Sequence, residues 1–454
     1  MNIVEKIFQE CDRDHTAIQT PDEAITYGAL VTRVEEMVSR LAALSAPRIG
    51  LDCPDGITHI VLALAILKAG KCLVPLAPEL SAPERAAVID QTHLGAILTG
   101  DGTLTPLEHA HPPRFDEDAF AALNPAFIRF SSGTTGQSKG VVISHESLRD
   151  RVAAANRGLQ IGLEDRVVWI LPMAHHFAVS IMLYLRQGAT TLLPGSHMAR
   201  EILSMARQHG GTVLYGAPFH HALLAAEPSG EPWPTLRLAV STASALPEST
   251  AKAFQSRYGI PLTQGLGVIE VGLSCLNLKA AAEKPTAIGR PLPDFQIVTR
   301  NGEIWIRGPG MLDAYLHPWR TRDAILEEGW FQTGDLGHFD AEGDLHLDGR
   351  SRSVINVAGM KCFPEEVEAV LREHPGVRTA RVQGRVHARV GAIPVAEIIP
   401  ADPAAPPSIS SLVAHCRAAL SAYKIPLNFQ FVSEIPLTPS GKIRREEASA
   451  REKN

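Results

Sequence analysis

Apolar positions along the first hundred residues follow two alternating periods. Leu30, Val34, Met37, Val38 and Leu41 recur every three or four residues and predict a helix with one buried face. Short apolar runs at 48–51, 72–76 and 96–99 are separated by helical stretches at 57–69 and 82–91. Strands spaced by helices predict βαβ units and a largely parallel sheet. The pattern resumes with strand candidates at 167–170, 190–193, 213–215 and 238–240. Between about 288 and 347 it gives way to short strands and tight turns such as Asn301-Gly302 and Glu342-Gly343, which predict a smaller β subdomain. The remainder predicts an independent α+β unit, with helices at 364–372 and after Pro407 and strands at 377–382, 395–399 and 429–432. The expected class is α/β, divided into a core domain at 1–349 and a small domain at 350–454.

Composition narrows this reading. A length of 454 residues with 45% hydrophobic and 20% charged residues suits a globular protein with large cores. The longest apolar run, 60–67, is too short to span a bilayer and is broken by Lys68. The first six residues lack the basic start and apolar core of a secretory signal, so a cytoplasmic protein is expected. A net charge of −6 without a long basic block argues against nonspecific nucleic-acid binding. Six cysteines without a Cys-x-x-Cys pair suit a reducing compartment and offer no structural zinc site. His175-His176 and His220-His221 are adjacent pairs whose side chains diverge, so neither reads as a metal pair.

The most informative chemistry lies at 130–141, Phe-Ser-Ser-Gly-Thr-Thr-Gly-Gln-Ser-Lys-Gly-Val, between the apolar runs Phe127-Ile128 and Val141-Val142-Ile143. Glycines let backbone N–H groups turn toward an anion, while hydroxyls and a lysine add donors and charge. It is not a Walker A loop, because the lysine follows Gly-x-x-Gly-x-x and a strand-like run comes next. From composition alone, a phosphate cradle and a Gly/Thr-rich hairpin turn both fit.

The order Ser-Gly-Thr-Thr-Gly-x-x-Lys-Gly resembles the phosphate-loop signature of the adenylate-forming enzymes, and further motifs follow in that family's order along nearly the whole chain. The resemblance implies a nucleotide cradle of Ser131, Ser132, Gly133, Thr134, Thr135 and Gly136, with Lys139 acting on charge. Gln264-Gly265-Leu266-Gly267-Val268-Ile269-Glu270 aligns with the family's Tyr-Gly-x-Thr-Glu, which makes Glu270 the Mg²⁺ acid and places Leu266 and Gly267 at the nucleotide. Leu266 stands where the family has an aromatic residue, and Ile269 where it has a threonine. The chain is thereby a divergent active branch or a weakened one.

Thr333-Gly334-Asp335 matches the ribose-binding motif, with Arg350 also near the ribose. Ser353 stands at the hinge about which the family's small domain rotates, and Gly359 at the passage for the pantetheine thiol. Pro436-Leu437-Thr438-Pro439-Ser440-Gly441-Lys442 aligns Lys442 with the catalytic lysine of adenylation. Leu171-Pro172-Met173-Ala174-His175-His176-Phe177 matches the Pro-x-x-His segment beside the acyl pocket, in a form closest to the aryl-acid branch. His175, His176, Phe177 and Gly265 are then the acid-binding residues.

The implied reaction uses ATP and Mg²⁺ to make an acyl-AMP and then a thioester on CoA or on the phosphopantetheine of an acyl carrier protein. An aryl acid such as a hydroxybenzoate is the first expectation and a fatty acid the second. A non-catalytic nucleotide-binding homologue is the rival from another class. Arg378, Arg381, Arg385 and Arg389 form a basic cluster, read either as a solvated face or as a landing patch for an anionic partner.

Overall fold

Helix Ile57–Lys68 is apolar on every face, and all residues from His59 to Leu67 are buried. Such a helix can only sit inside layered structure, and it packs against helix Tyr27–Ala42 and strands Arg48–Asp52 and Cys72–Pro75. The computed structural model describes residues 2–131, 139–178, 180–229, 232–243, 246–350 and 355–435. Its contacts divide them into two units, one of residues 2–78, 87–131 and 139–350, the other of residues 79–86 and 355–435.

The first unit holds three sheets. In the nine-stranded sheet, Thr16–Gln19, Thr190–Leu192, Arg166–Trp169, Val213–Gly216, Leu238–Ser241 and Leu262–Val268 run parallel as neighbours. Antiparallel strands close both edges. In the eight-stranded sheet Cys72–Pro75, Arg48–Asp52 and Ala96–Thr99 are parallel neighbours, as the βαβ pattern predicts. The third is a four-stranded antiparallel sheet of Gln296–Arg300, Glu303–Arg307, Phe331–Phe339 and Leu345–Arg350.

That third sheet is the expected β subdomain, with one difference. Ala314–Tyr315 and Arg320–Thr321 leave it and extend the eight-stranded sheet beyond Lys139–Ser144. A bare edge on that strand would expose unpaired N–H and C=O groups, and these residues cover it. The amino-terminal helix Ile3–Glu10, which the periodicity did not single out, is capped by Asn2, whose Oδ1 accepts from Val4 N at 2.9 Å.

The second unit is a sheet of Met360–Cys362, Ile355–Val357, Gly391–Pro400, Val377–His387 and Asn428–Phe431, with helices Pro364–Glu373 and Ile409–Ala419. Gly359 lies in its tightest hairpin, where Val357 pairs with Met360 and the two turn residues, Ala358 and Gly359, have φ of 50° and 86°. This is the two-residue turn whose twist matches that of its strands. Among the described residues of the chain, no helix is long and apolar enough to cross a membrane.

Candidate active site

Strand Pro125–Ser131 leads to the glycine-rich loop and strand Lys139–Ser144 leads away from it, antiparallel, with Ser131 opposite Lys139 and Arg129 opposite Val141. Ser132, Gly133, Thr134, Thr135 and Gly136 lie outside the described residues, and Ser131 is described in its backbone alone. On its other side the outgoing strand pairs with Ala314–Tyr315, Tyr315 opposite Val141. This register makes Tyr315 a diagonal neighbour of Lys139. The ammonium of Lys139 lies 4.6 Å from the centre of the Tyr315 ring, a cation–π contact.

The phenol of Tyr315 donates to Glu270 Oε1 at 3.1 Å. Burial and the Glu270 charge both push the phenol's pKa upward, so it remains a neutral donor. Glu270 sits at the tip of the hairpin between Leu262–Val268 and Gly272–Leu276. The backbone of that tip is pinned from outside. Leu312 N donates to the Glu270 carbonyl at 2.7 Å. Arg151, 1% exposed, donates to the carbonyls of Ile269 at 2.8 Å, Glu270 at 3.3 Å and Gly310 at 2.9 Å.

One guanidinium thus ties the Glu270 turn to the segment that delivers Tyr315. Burial lowers its pKa to about 10, against the pull of Asp313 and Glu270. Two glycines make room for it. At Gly272, with φ of 94°, a Cβ would stand 2.7 Å from Arg151 Cγ; at Gly310, with φ of 67°, it would stand 2.5 Å from Arg151 N. Asp313 completes the frame, accepting from Ser144 N at 2.6 Å, Ser147 Oγ at 3.0 Å and Arg322 Nη2 at 2.7 Å.

Leu266 is 7% exposed and packs in the main core of the first unit. At Gly265 a Cβ would lie 2.9 Å from Leu276 Cδ2 and would have to displace that side-chain end, whereas Gly267 meets only ordinary contacts.

The Pro-x-x-His segment forms the short helix Met173–His176, whose first N–H is held by the Asp55 carboxylate at 3.0 and 3.1 Å. Arg129 Nη1 donates to the His175 carbonyl, tying this segment to the strand before the loop. Burial lowers the Arg129 pKa to about 10 while Glu270 opposes the shift. The His176 ring stands edge-on to Trp169 at 6.0 Å, and Trp169 also lies 5.9 Å from Tyr184 and 6.0 Å from Tyr215. Phe177 is fully buried, 6.1 Å from the His59 ring.

In the four-stranded sheet Asp335 is 5% exposed, and its N–H donates to Thr333 Oγ1 at 3.1 Å. Its register partner is Arg350, which is described in its backbone alone. Ser353 and Lys442 lie outside the described residues. The basic cluster of the second unit divides: Arg378, Arg385 and Arg389 are exposed, but Arg381 is 8% exposed and its Nε donates to Glu397 Oε2 at 2.6 Å. Arg381 shares a strand face with Arg385, four residues on, but Glu397 engages it, whereas the other three remain exposed.

Glu270 and Lys139 lie within the sequence motifs, whereas Tyr315, Arg129, Arg151 and Asp313, which the fold brings into this neighbourhood, lie outside them. One signal pointed to Arg151: it shares a helical face with Leu148, Val152, Ala155 and Leu159, all buried.

Comparison with known proteins places this geometry. The profile of the AMP-binding enzyme family matches residues 6–316, and that of the AMP-binding enzyme C-terminal domain matches residues 366–442. A sulfoacetate–CoA ligase of Cupriavidus necator is 30% identical over 89% of this chain and 78% of its own length. A Mycobacterium tuberculosis CoA ligase for a methyl-dioxo-octahydroindenyl propanoyl group is 30% identical over 95% of both chains. Among solved structures, an amide bond synthetase of Marinactinospora thermotolerans superposes with a TM-score of 0.83 at 26% identity, over 98% of each chain. With a matched profile over more than half its length, the chain belongs to the AMP-binding enzyme family.

Proposed function

We propose that the chain is an acid–thiol ligase that activates a small aromatic carboxylic acid with ATP and transfers the acyl group to CoA. The observation that carries this reading is the convergence of Glu270, Tyr315 and Lys139 beside the strands that bracket the hydroxyl- and glycine-rich loop. A carboxylate is a poor electrophile. Attack of its oxygen on the α-phosphorus of ATP forms an acyl–phosphate bond and expels pyrophosphate. A thiol then attacks the acyl carbon, giving the thioester as AMP departs with the electron pair.

Lys139, fixed over the Tyr315 ring, supplies positive charge next to the loop, and in this reading Lys442 supplies it at the reacting carboxylate. Asp335 accepts the ribose hydroxyls. Mg²⁺ fits Glu270. The carboxylate is a hard oxygen donor, one oxygen is engaged by a neutral phenol, and Mg²⁺ is commonly held by one or two carboxylates plus substrate phosphates. When bound, the metal would neutralise phosphate charge.

Two observations support the finer choices. The rings of Trp169, His176, Tyr184 and Tyr215 gather beside the Pro-x-x-His helix, a wall that suits a flat acid better than a fatty chain. The relatives named as CoA ligases favour CoA over a carrier protein's phosphopantetheine.

The test is ATP–pyrophosphate exchange with a panel of aryl, fatty and amino acids, followed by CoA consumption with the active acid. Exchange driven by an aryl acid, with AMP as product, is expected. Tight ATP binding without exchange for any acid would instead favour the non-catalytic homologue.

A further inference from the structure

Arg129 is an arginine in an apolar strand. Its sequence neighbours are Phe127, Ile128 and Phe130, and it is the second residue before Ser131. Among the described residues its hydrogen bond is the one from Nη1 to the His175 carbonyl, and its Nε is buried without a partner. A guanidinium is a planar fork of five donors that matches an oxyanion two bonds at a time. This one is partly exposed. It is anchored at one end to the Pro-x-x-His helix, and Glu270 is the charge that acts on it. Core packing does not explain it, because a hydrocarbon of the same volume would serve an apolar strand without leaving a donor unmet. Nor does it compensate the Glu270 charge by contact, since no carboxylate among the described residues stands within ion-pair distance.

We propose that Arg129 is an oxyanion-binding residue of the active site, presenting its unused donors to the reacting carboxylate or to a nucleotide phosphate. Both ligands are the same chemistry, a resonance-delocalised oxyanion. Position argues that the two meet here: His175 belongs to the acid-side segment, while Glu270 and Lys139 flank the phosphate loop. The inference rests on the proposed ligase reaction, but its binding arm does not.

Full-length Arg129→Met and Arg129→Lys are compared with the unaltered chain by three readouts: ATP affinity by calorimetry with the nonhydrolysed nucleotide, KM for the acid, and kcat of exchange. Loss of the fork is expected to lower kcat/KM on the order of 100-fold in Arg129→Met, with the lysine variant intermediate because it returns charge without bidentate geometry. Weakened ATP affinity assigns the oxyanion to the nucleotide; unchanged ATP affinity with a raised KM for the acid assigns it to the carboxylate. A folded Arg129→Met whose ATP affinity, acid KM and kcat all match the unaltered chain overturns the proposal. Should the methionine variant not fold, an Arg129→Lys variant matching the unaltered chain on all three readouts does the same. If the unaltered chain exchanges with no acid, the ligase reading fails, and ATP affinity alone still decides whether Arg129 reads phosphate.

Discussion

The first unit contains two charge clusters built in opposite ways. Around Arg151 the central charges, Arg151 and Asp313, are buried and largely address the backbone: one guanidinium serves three carbonyls, and Asp313 accepts from a backbone amide, a serine hydroxyl and the half-exposed Arg322. Around Lys284 the charges address one another. Its ammonium meets Asp340 at 2.6 Å, Glu342 at 2.8 Å and Asp344 at 3.4 Å, while Arg290 reaches Asp344 at 3.1 Å and His346 reaches Asp340 at 3.1 Å. Side-chain hydrogen bonds to Asp340 and Glu342 raise the Lys284 pKa, and the bond from Lys284 holds Asp340 low. The second cluster depends on Coulomb attraction that water and salt screen. The first depends on the donor geometry of largely buried groups, which is what fixes the turn that carries Glu270.

The largest effect is expected from Arg151→Met, which leaves three carbonyls without their donor. A loss of about 3–5 kcal/mol is expected for breaking such a buried network, read by urea unfolding. Gly272→Ala attacks the same cluster through the backbone. A Cβ at φ of 94° against Arg151 costs about 1–3 kcal/mol, and exchange activity should fall with stability because Glu270 is two residues away.

Acid separates the buried region from the surface next. Burial lowers the pKa of His145 and His220 to about 4 and of His221 to about 3. Groups depressed on folding contribute stability that is complete above their unfolded value near 6.5 and is lost as pH falls toward the folded ones. Stability measured by denaturant should therefore decline from about pH 6.5 toward 4. The contribution of Asp340, also depressed, should persist until the pH drops below the ordinary carboxylate range. A flat stability profile across pH 4–6.5 would contradict the burial of these histidines as neutral rings.

Tyr315→Phe keeps the ring under Lys139 and removes the hydrogen bond to Glu270. It should cost about 1 kcal/mol, or roughly fivefold, in the apparent affinity for Mg-ATP, with little change in melting temperature. Lys284→Met should do least, shifting the melting curve only at low salt and leaving exchange unchanged. A Lys284→Met variant that lost as much stability as Arg151→Met would erase the distinction between the clusters.

The comparison also explains what was legible in the sequence. Parallel strands buried on both faces read as apolar runs, so Val167–Trp169 and Val213–Tyr215 stood out. Glu270 and Lys139 are legible as candidates because each lies within a contiguous motif. Tyr315 and Asp313 have no local signature; they matter because strand pairing brings them across to residues 141–147. A charged residue is ordinarily solvated, so Arg129 and Arg151 lack a motif signal; carbonyls from distant segments make the burial of Arg151 tolerable, and the His175 carbonyl anchors Arg129. The short strands at 314–315 and 320–321 were read with their sequence neighbours, since two-residue pairs carry too little pattern to reveal which sheet they join.

The outer neighbour of strand Lys139–Ser144 is made of residues Ala314–Tyr315, and Asp313, which holds the Ser144 amide, lies 169 positions downstream of it. On a ribosome adding about 5–20 residues per second, that interval is roughly 10–30 s. Throughout it, the outgoing strand has emerged with an open hydrogen-bonding edge, and Glu270, once made, lacks its phenol. A nascent chain stopped before residue 313 can therefore complete neither the sheet nor the acid's hydrogen bond, and its bare strand is a template for pairing with another chain. Synthesis speed through the intervening segment thus governs how long that edge stays open, and arrested products should partition to aggregates.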